Sequence, residues 1–293
     1  MSRRRITGGL LLALFWVAPS LFAADFDLAE AEKLYAAGEY EKVIDQAAKA
    51  IEDRPRDEDW QLFYAKSLLH TGKYPQAKDA IKLARRNTYS SVRIRLAAYH
   101  ILRANGLLEE AQEALDEINS LGGTRRWAYR EAKDLVALGE AAVILGADPK
   151  LVLDNFYNPV KKAAPETRQV YLAIGNLALQ KHDFALAGRA FQEGLQKFKD
   201  DAEMLAGLAE ALESGERKQM IAVLEKILEI NENHARGRLL LAEHLIDAEE
   251  YEAALKELER VEKVNPHQPE MWAFRAVIAH LNNDGEREKA ARD

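Results

Sequence analysis

The sequence contains no cysteine, so disulfide bonds, thiolate metal sites and a lipid-modified N-terminal cysteine are all excluded. Glycine and proline are scarce as well, with 16 and 8 copies among 293 residues. Charged residues make up 30% of the chain and hydrophobic residues 48%. A chain of this composition can bury a large core, and the scarcity of helix-breaking residues suits a helical array with solvated outer faces.

Motifs that carry catalysis or bind cofactors are also missing. We find no HExxH zinc helix, no GxSxG nucleophile elbow, no phosphate-binding loop and no GxGxxG motif after a strand. None of the seven histidines lies three or four residues from another, the spacing that places two metal ligands on one helix face. The sequence therefore predicts a protein that is not an enzyme and that carries no metal and no organic cofactor.

The N-terminus has the pattern of a secretory signal peptide. Three arginines at positions 3 to 5 precede an apolar run from Leu10 to Ala18, and the small residue Ala23 ends the pattern. The apolar run is shorter than the roughly 20 residues that cross a membrane as a helix. We therefore expect residues 1–23 to be a signal peptide cleaved after Ala23, with an uncleaved anchor as the alternative. The expected location is the periplasm or cell envelope.

The chain that remains after this cleavage is acidic. Its formal charge is -7 - 3 = -10, because residues 1–23 contain three arginines and no acidic residue. Binding to nucleic acid through its phosphates needs a basic field, which this chain lacks. We therefore expect no nucleic-acid partner, and no membrane span in the mature chain.

The stretch from Ala235 to Gln268 is the clearest unit of the sequence. Apolar residues recur at helical spacing on both sides of a short turn, which predicts two amphipathic helices, and Pro266 ends the second helix. Glycines mark the corresponding turn at Gly38, Gly72 and Gly106, which stand 34 residues apart twice in succession. Glycine suits a helix end that passes through the left-handed conformation.

A helix-turn-helix unit of this length resembles the tetratricopeptide repeat (TPR) family, whose unit has about 34 residues. The resemblance implies an all-α fold, a right-handed α-solenoid of about six to seven units, one of them irregular. We place three regular units in residues 24–125 and an irregular helical insertion or degenerate repeat in residues 126–167. Three units and a partial terminal one are expected in residues 168–293.

Two further positions recur with the glycines. An aromatic residue follows two positions later as Tyr40 and Tyr74, and we expect it to fill the space beside the turn. A small residue at a fixed place in each helix is expected to let the two helices of a unit approach closely. In second helices this residue is Val43, Ala77, Ala111, Ala187 or Ala254, and in first helices it is Ala31, Ala65, Gly175, Ala209, Ala242 or Ala276.

The period fails between Thr124 and Thr167. We expect a first helix over residues 124–138 with Thr124 as its cap, and short helices that start at Asp148-Pro149 and Asn158-Pro159, because Asp and Asn cap helices and proline suits the first turn. We interpret the aromatic residues of this segment as filling the junction between the two half-arrays. The alternative is that the irregular segment carries function. The aromatic set comprises Trp127, Tyr129, Phe156 and Tyr157.

The resemblance also implies that the first helices line a concave face and determine its ligand. The expected groove residues are mainly basic in the N-terminal half, polar in the middle and mainly acidic in the C-terminal half. Such a groove would orient an extended peptide, with the acidic end of the peptide toward the N-terminal units. The alternative is a solvated surface whose charges serve solubility. The candidate residues are Lys66, His70, Arg93, His100, Arg103, Asn176, Gln180, Glu210, Glu213, Arg236 and Glu243.

The charge contrast extends beyond the groove. From Trp60 to Arg103 the chain holds nine lysines and arginines and a single acidic residue, Asp79, whereas acidic residues dominate from Asp201 to Arg260. An exported solenoid with this surface is expected to be a scaffold or adaptor that binds a protein or peptide.

Two alternative functions stay open. The array could be an accessory module of a longer exported enzyme with a peptidase-like zinc domain beyond Asp293, or a solenoid associated with envelope polysaccharide. The carboxylate clamp, by which some members of the family bind the tails of chaperones, is absent from this sequence. That clamp needs lysines and asparagines where this chain has Leu28, Glu32, Leu62 and Lys66.

Overall fold

The computed structural model describes residues 27–125, 128–213, 215 and 217–292. Over these residues the chain forms sixteen helices and no strand, which confirms the all-α prediction. The helices pair into successive helix-turn-helix units. They are α1 (Leu28–Ala36), α2 (Tyr40–Asp53), α3 (Glu58–His70), α4 (Tyr74–Asn87), α5 (Val92–Ala104), α6 (Leu108–Arg125), α7 (Ala132–Ile144), α8 (residues 149–163), α9 (Arg168–Gln180), α10 (Phe184–Lys197), α11 (Ala202–Leu212), α12 (Arg217–Ile230), α13 (Ala235–Asp247), α14 (Tyr251–Val264), α15 (Pro269–Leu281) and α16 (Gly285–Arg292).

The odd-numbered helices form one continuous row. Each of them packs against its partner within the unit and against the next odd-numbered helix, from α1 through to α15. This row is the inner layer of the solenoid, and the even-numbered helices form the outer layer. The first helices therefore line the concave surface, as the resemblance implies.

Small residues let the two layers approach closely. Ala65 in α3 and Ala77 in α4 are fully buried, as are Ala187 in α10 and Ala254 in α14. At Gly175 in α9, even a methyl group would overlap the buried ring of Phe191. The predicted small positions are thus confirmed as contact points between the helices of a unit.

The turns inside the units adopt the left-handed conformation that the glycines predict. The φ angles are 78° at Gly38, 71° at Gly72 and 73° at Gly106. Three later units place a residue with a side chain in the same conformation, with φ 57° at His182, 61° at Glu249 and 56° at Asn283. These residues carry a steric cost that glycine avoids.

The helix predicted over residues 124–138 is wrong at its start. Helix α6 continues to Arg125, and the Thr124 hydroxyl donates to the Ser120 carbonyl at 2.7 Å within its last turn. Helix α7 begins at Ala132 instead, after Glu131 as its N-cap residue. A threonine inside a helix can bond back to the preceding turn, so its presence does not identify a cap. Trp127 lies outside the described residues.

The second half of this segment, α8, joins two short α-helical parts, residues 149–152 and 158–163, through a π-helical turn. Asp148 caps it as predicted, because its Oδ1 accepts the Lys150 amide at 2.8 Å. An α-helical part of α8 starts at Asn158 with Pro159 in its first turn, as predicted, although Tyr157 and not Asn158 is its N-cap residue. The preceding residues 153–157 form a π-helical turn. Proline lacks an amide proton and clashes with the carbonyl four residues earlier, and the wider π turn accommodates both effects.

Helices α7 and α8 occupy the place of a unit between their neighbours. Helix α7 packs against α5 on one side and α9 on the other. The ring of Tyr157 is buried against Gly139, and Phe156 packs against the hydrophobic clusters of both half-arrays. Tyr129 is buried and donates its hydroxyl proton to the Ser90 carbonyl at 2.8 Å. These three rings fill the junction, as we interpreted them from the sequence.

The array curves until its two ends meet. Asn231 Nδ2, in the loop before α13, donates to the Tyr40 hydroxyl at 3.4 Å. Asn265 Nδ2, in the loop before α15, donates to the Tyr74 hydroxyl at 3.2 Å. We call this region the closing seam: it comprises Gly38, Tyr40, Gly72 and Tyr74 of the first two units and Asn231, Asn233, Asn265 and His267 of the later loops.

Candidate functional site

The concave surface is built from one recurring position. In the first helices a buried residue, small in most units and Tyr99 in α5, packs inward between helices, and the residue that follows it lies about 100° further around the helix. Lys66 follows Ala65, and Asn176 follows Gly175. Through this register the fold presents Lys66, His100, Glu140, Asn176, Glu210 and Glu243 as one row.

Lys66 is an exposed cation in a confined space. Its ammonium group forms no hydrogen bond or ion pair with any residue that the structure describes. Desolvation lowers the pKa of Lys66, and the nearby charge of Glu140 opposes that shift. Arg168 and Glu203, on two further first helices, are also within electrostatic reach of Lys66. The side chain is therefore accessible yet surrounded by the charges of several units.

Two of the candidate residues, His70 and Arg93, stabilise contacts between neighbouring units. His70 stacks on Tyr40 with a centroid distance of 4.9 Å, and meets the edge of Tyr35 at 5.6 Å. Arg93 forms ion pairs with Asp59 and, at 3.5 Å, with Glu58. His70 and Arg93 therefore lie at the concave surface mainly as links between neighbouring units.

His100 and Arg103 remain exposed on α5. The Arg103 Nη1 donates to the Tyr99 hydroxyl at 2.8 Å, and its guanidinium group lies over the Tyr99 ring at 6.0 Å from the centroid, with no ion pair to a carboxylate of the described chain. Desolvation lowers the pKa of His100 to about 4, and the charges of Lys66 and Arg103 add to the shift. At neutral pH the positive charge of this region is thus carried by Lys66 and Arg103.

Asn176 and Gln180 lie on α9, between the basic and acidic regions. Asn176 is half-buried and Gln180 is exposed. Neither amide is hydrogen bonded within the described part of the chain. Both can therefore donate to and accept from the backbone of a ligand.

The C-terminal half carries a group of carboxylates. Glu210 forms an ion pair with Arg236, so these two charges compensate each other. Glu213 is exposed and Glu243 half-buried. Desolvation raises the pKa of Glu243, and the negative charges of Glu213, Asp247 and Glu210 raise it further. This region favours the approach of a cation.

Sequence reasoning missed two groove carboxylates. Glu140 follows Gly139 in α7 as Lys66 follows Ala65. The two positions could not be aligned from the sequence, because the 34-residue period fails in this segment. Desolvation raises the pKa of Glu140 to about 7, against the effect of the Lys66 charge. Glu203 lies six residues before Ala209, a register equivalent to that of Arg236. This six-residue spacing could have identified Glu203 as a groove residue from the sequence.

Glu203 lies at the centre of a polar cluster. Its Oε1 is 3.4 Å from Nε2 of His234, whose Nδ1 accepts the Gly237 amide at 3.0 Å. Desolvation alone would raise the Glu203 pKa, but the imidazoles of His234 and His70 hold it well below its usual range. His70 belongs to the second unit and His234 to the loop before α13. The cluster therefore spans the closing seam.

The basic charge outside the groove is largely compensated. Several lysines and arginines of the N-terminal units pair with glutamates of an adjacent unit or, for Arg95, of the other helix in the same unit, which the linear sequence hides. Such pairs stabilise little individually at a solvated surface, but they remove the net field. They include Lys73–Glu41 at 2.6 Å, Lys82–Glu110 at 2.6 Å, Arg85–Glu117 at 2.7 Å and Arg95–Glu117 at 2.6 Å.

The described residues contain no group of three His, Cys, Asp or Glu side chains placed to hold a metal ion. Among those same residues, no helix has both the length and the apolar character needed to cross a membrane.

The comparisons with known sequences identify the repeat. Tetratricopeptide repeat profiles match residues 28–92, 172–219 and 211–278. A protein of Aquifex aeolicus (strain VF5) that is described as uncharacterized is 29% identical over 147 residues, or 46% of this chain. The chain spans 19% of the length of that relative.

Solved structures show the same architecture. A chain of the APC/C hetero-tetramer Cut9-Hcn1 is similar with a TM-score of 0.61 and 15% identity, over 90% of this chain and 51% of that one. The human IFIT1 dimer with PPP-AAAA is similar with a TM-score of 0.55 and 12% identity, over 90% of this chain and 70% of that one. Likeness at these identities shows the fold. The chain belongs to the tetratricopeptide repeat family, whose solenoids serve as scaffolds for protein–protein interaction.

Proposed function

We propose that this protein is a non-enzymatic adaptor that binds an extended peptide segment of a partner protein along its concave surface. The observation that carries the proposal is the distribution of charged side chains that form no ion pair within the described residues. Lys66 and Arg103 lie on α3 and α5, while Glu213 and Glu243 lie on the α11 and α13 units. A ligand with an acidic end and a basic end satisfies both regions at once.

The polar middle of the surface fits an extended backbone. Asn176 and Gln180 offer amide donors and acceptors between the two charged regions. Peptide recognition through backbone hydrogen bonds, with charged pockets at the ends, is a recurring binding mode. The acidic end of the peptide is directed toward the N-terminal units.

A synthetic peptide tests this proposal directly. The probe is a fluorescent peptide with glutamates at one end, lysines at the other and a neutral polar spacer, measured by anisotropy against a peptide of the same composition in scrambled order. The double variant Lys66→Glu and Arg103→Glu should weaken binding by roughly tenfold or more, because it places like charges against the acidic end.

The matched control changes the same charge elsewhere. Lys49 and Arg86 are exposed on the outer-layer helices α2 and α4. Lys49→Glu together with Arg86→Glu should leave the affinity within about twofold, since the reversed charges lie outside the concave surface. Equal losses in both double variants, or equal binding of the scrambled peptide, would show that the charges serve solubility alone.

We propose further that the adaptor acts in the periplasm or cell envelope. The support is the sequence pattern of residues 1–23, with three arginines before the apolar run from Leu10 to Ala18. Fusing residues 1–27 to a reporter enzyme that is active only after export tests this location. A reporter without activity, beside an active fusion to a known signal peptide, would contradict it.

A further inference from the structure

The closing seam is made of one contact that occurs twice. The hydrogen bonds Asn231–Tyr40 and Asn265–Tyr74 each join residues 191 positions apart. Asn231 Oδ1 accepts the Asn233 amide at 2.9 Å, and Asn265 Oδ1 accepts the His267 amide at 3.0 Å. The two contacts are thus related by one repeat on each side of the seam.

The asparagines stand only where the seam forms. The residue that follows a second helix occupies the same place in each loop between units, with its amide bonded to the last helical turn. The loops after the sixth and seventh units have asparagine at this place, whereas the earlier described loops have other residues. The described residues there are Arg54, Thr88, Ala164, Phe198, Asn231 and Asn265.

The opposing turns have no room for a side chain. Asn231 and Asn265 are each 2% exposed, so the seam buries both amides. A Cβ atom built on Gly72 would lie 2.6 Å from Asn265 Oδ1, and one on Gly38 would overlap Asn231 even more closely. Gly106, the third glycine of the series, has no atom within 4 Å of its Cβ position in the described structure.

The seam is polar, unlike the packing between units. Successive units share hydrophobic clusters, but none of the clusters formed by described residues joins the first two units to the loops before α13 and α15. Further polar contacts complete the seam: Asn233 Nδ2 donates to the Gly38 carbonyl at 3.3 Å, and the Tyr74 hydroxyl to the His267 carbonyl at 3.4 Å. Contacts with few buried apolar atoms open at lower free energy than a packed core.

We propose that the closing seam is a reversible closure that controls access to the concave surface. When it is closed, the solenoid completes a turn around the groove and admits only ligands that fit through the ends of that turn. When it opens, a large partner can approach the first helices from the side. This inference concerns access, so it does not depend on the charged peptide of the proposed function.

A disulfide can lock the seam in a chain that has no other cysteine. A Cβ on Gly72 would lie 3.2 Å from Cγ of Asn265, one bond beyond the Cβ of that residue. Disulfides join Cβ atoms roughly 3.5–4.5 Å apart, so this close approach brings the thiols of Gly72→Cys and Asn265→Cys within reach of each other. The control pair is Gly106→Cys with Asn265→Cys, which places the same strain one unit away from the seam.

The first measurement is disulfide formation under mild oxidation, read by thiol titration. The seam pair should oxidise and the control pair should keep its thiols. Circular dichroism of both reduced proteins, with helical signals equal to that of the parent, establishes that each variant folds. A folded seam pair that fails to oxidise would overturn the closed arrangement.

The second measurement reports access. Adding His100→Cys places one further thiol on the exposed concave side of α5, and two maleimides are compared after oxidation. The reaction is read at position 100 by peptide mass mapping, because the reduced protein also carries the two seam thiols. At this position a small maleimide should react equally with the locked and reduced proteins, and a maleimide linked to a small folded protein should react roughly tenfold more slowly with the locked one. Equal rates with the large reagent would show that the seam does not control access.

Discussion

The first two units and the two that follow them form a natural comparison. In the units of α1 to α4, the closed side, the turns meet Asn231 and Asn265 across the seam. In the units of α5 to α8, the open side, the equivalent turns face solvent, and Leu108, which takes the place of Tyr40 and Tyr74, is 64% exposed. The turn between the helices of a unit therefore shapes its own unit on both sides, and on the closed side it also contacts a distant loop.

Gly72 on the closed side and Gly106 on the open side allow the contribution of the seam to be measured separately. Gly72 and Gly106 have nearly equal φ angles and the same place at a helix end, so any substitution meets the same backbone strain. Only Gly72 also faces a buried amide. A difference in stability between matched variants at these two sites measures the seam.

The largest effect is expected from Gly72→Ala. We predict a loss of roughly 3 kcal/mol in the free energy of unfolding, from left-handed strain together with displacement of the buried Asn265. Gly106→Ala should lose about 1 kcal/mol, because strain acts alone. Urea unfolding of both variants checks the prediction, and equal losses would remove the distinction between the closed and open sides.

The packing of the two helices within a unit should not depend on the closing seam. Ala77 on the closed side and Ala187 beyond it are both fully buried between the helices of their units. Leucine at either site should overpack the helix pair and cost about 1–3 kcal/mol. Thermal melting of both variants tests this. A much larger cost at Ala77 would mean that the seam stiffens the packing of its unit, and no cost at either would contradict the assigned register.

A smaller effect of opposite sign is expected at Glu249. Its φ of 61° puts a side chain in the conformation that glycine adopts at Gly38 and Gly72. Glu249→Gly should therefore raise the free energy of unfolding by about 1 kcal/mol. Chemical denaturation against the parent protein measures the gain. A loss would show that the glutamate side chain contributes more than its backbone strain costs.

The last effect is a pH dependence of the free energy of unfolding, expected on the open side. Glu140 has a pKa of about 7 in the folded protein against an ordinary value of 4.5, so the folded state binds its proton more tightly than the unfolded state. The free energy of unfolding should therefore decrease as the pH rises through this window. The variant Glu140→Gln should lose that decrease, measured as the difference from the parent at each pH. An unchanged slope would contradict the burial of this carboxyl.

Much of the architecture was predictable because the TPR signals are local. The 34-residue spacing of Gly38 and Gly72 identified the turns, and apolar residues at helical spacing identified the helices. The error at the start of α7 fell where a local signal has two structural meanings, because Thr124 can cap a helix or bond within one.

The groove was predictable only in part. The register of Lys66, Asn176 and Glu243 follows from helical geometry and the small residue beside each of them. The partners of His70 and Arg93 come from other units, so their mainly structural role could not be read from phase alone. Glu140 was missed because its unit breaks the sequence period, although α7 keeps its place in the inner layer.

The sequence by itself determined the units, because each helix pair is encoded by residues within one repeat length. Tertiary structure decided which units meet. The closure depends on small rotations between successive units that accumulate over 191 residues, and no single repeat encodes their sum. The sequence contains Asn231 and Asn265 as two loop residues, and only the curvature of the whole array brings them against Gly38 and Gly72.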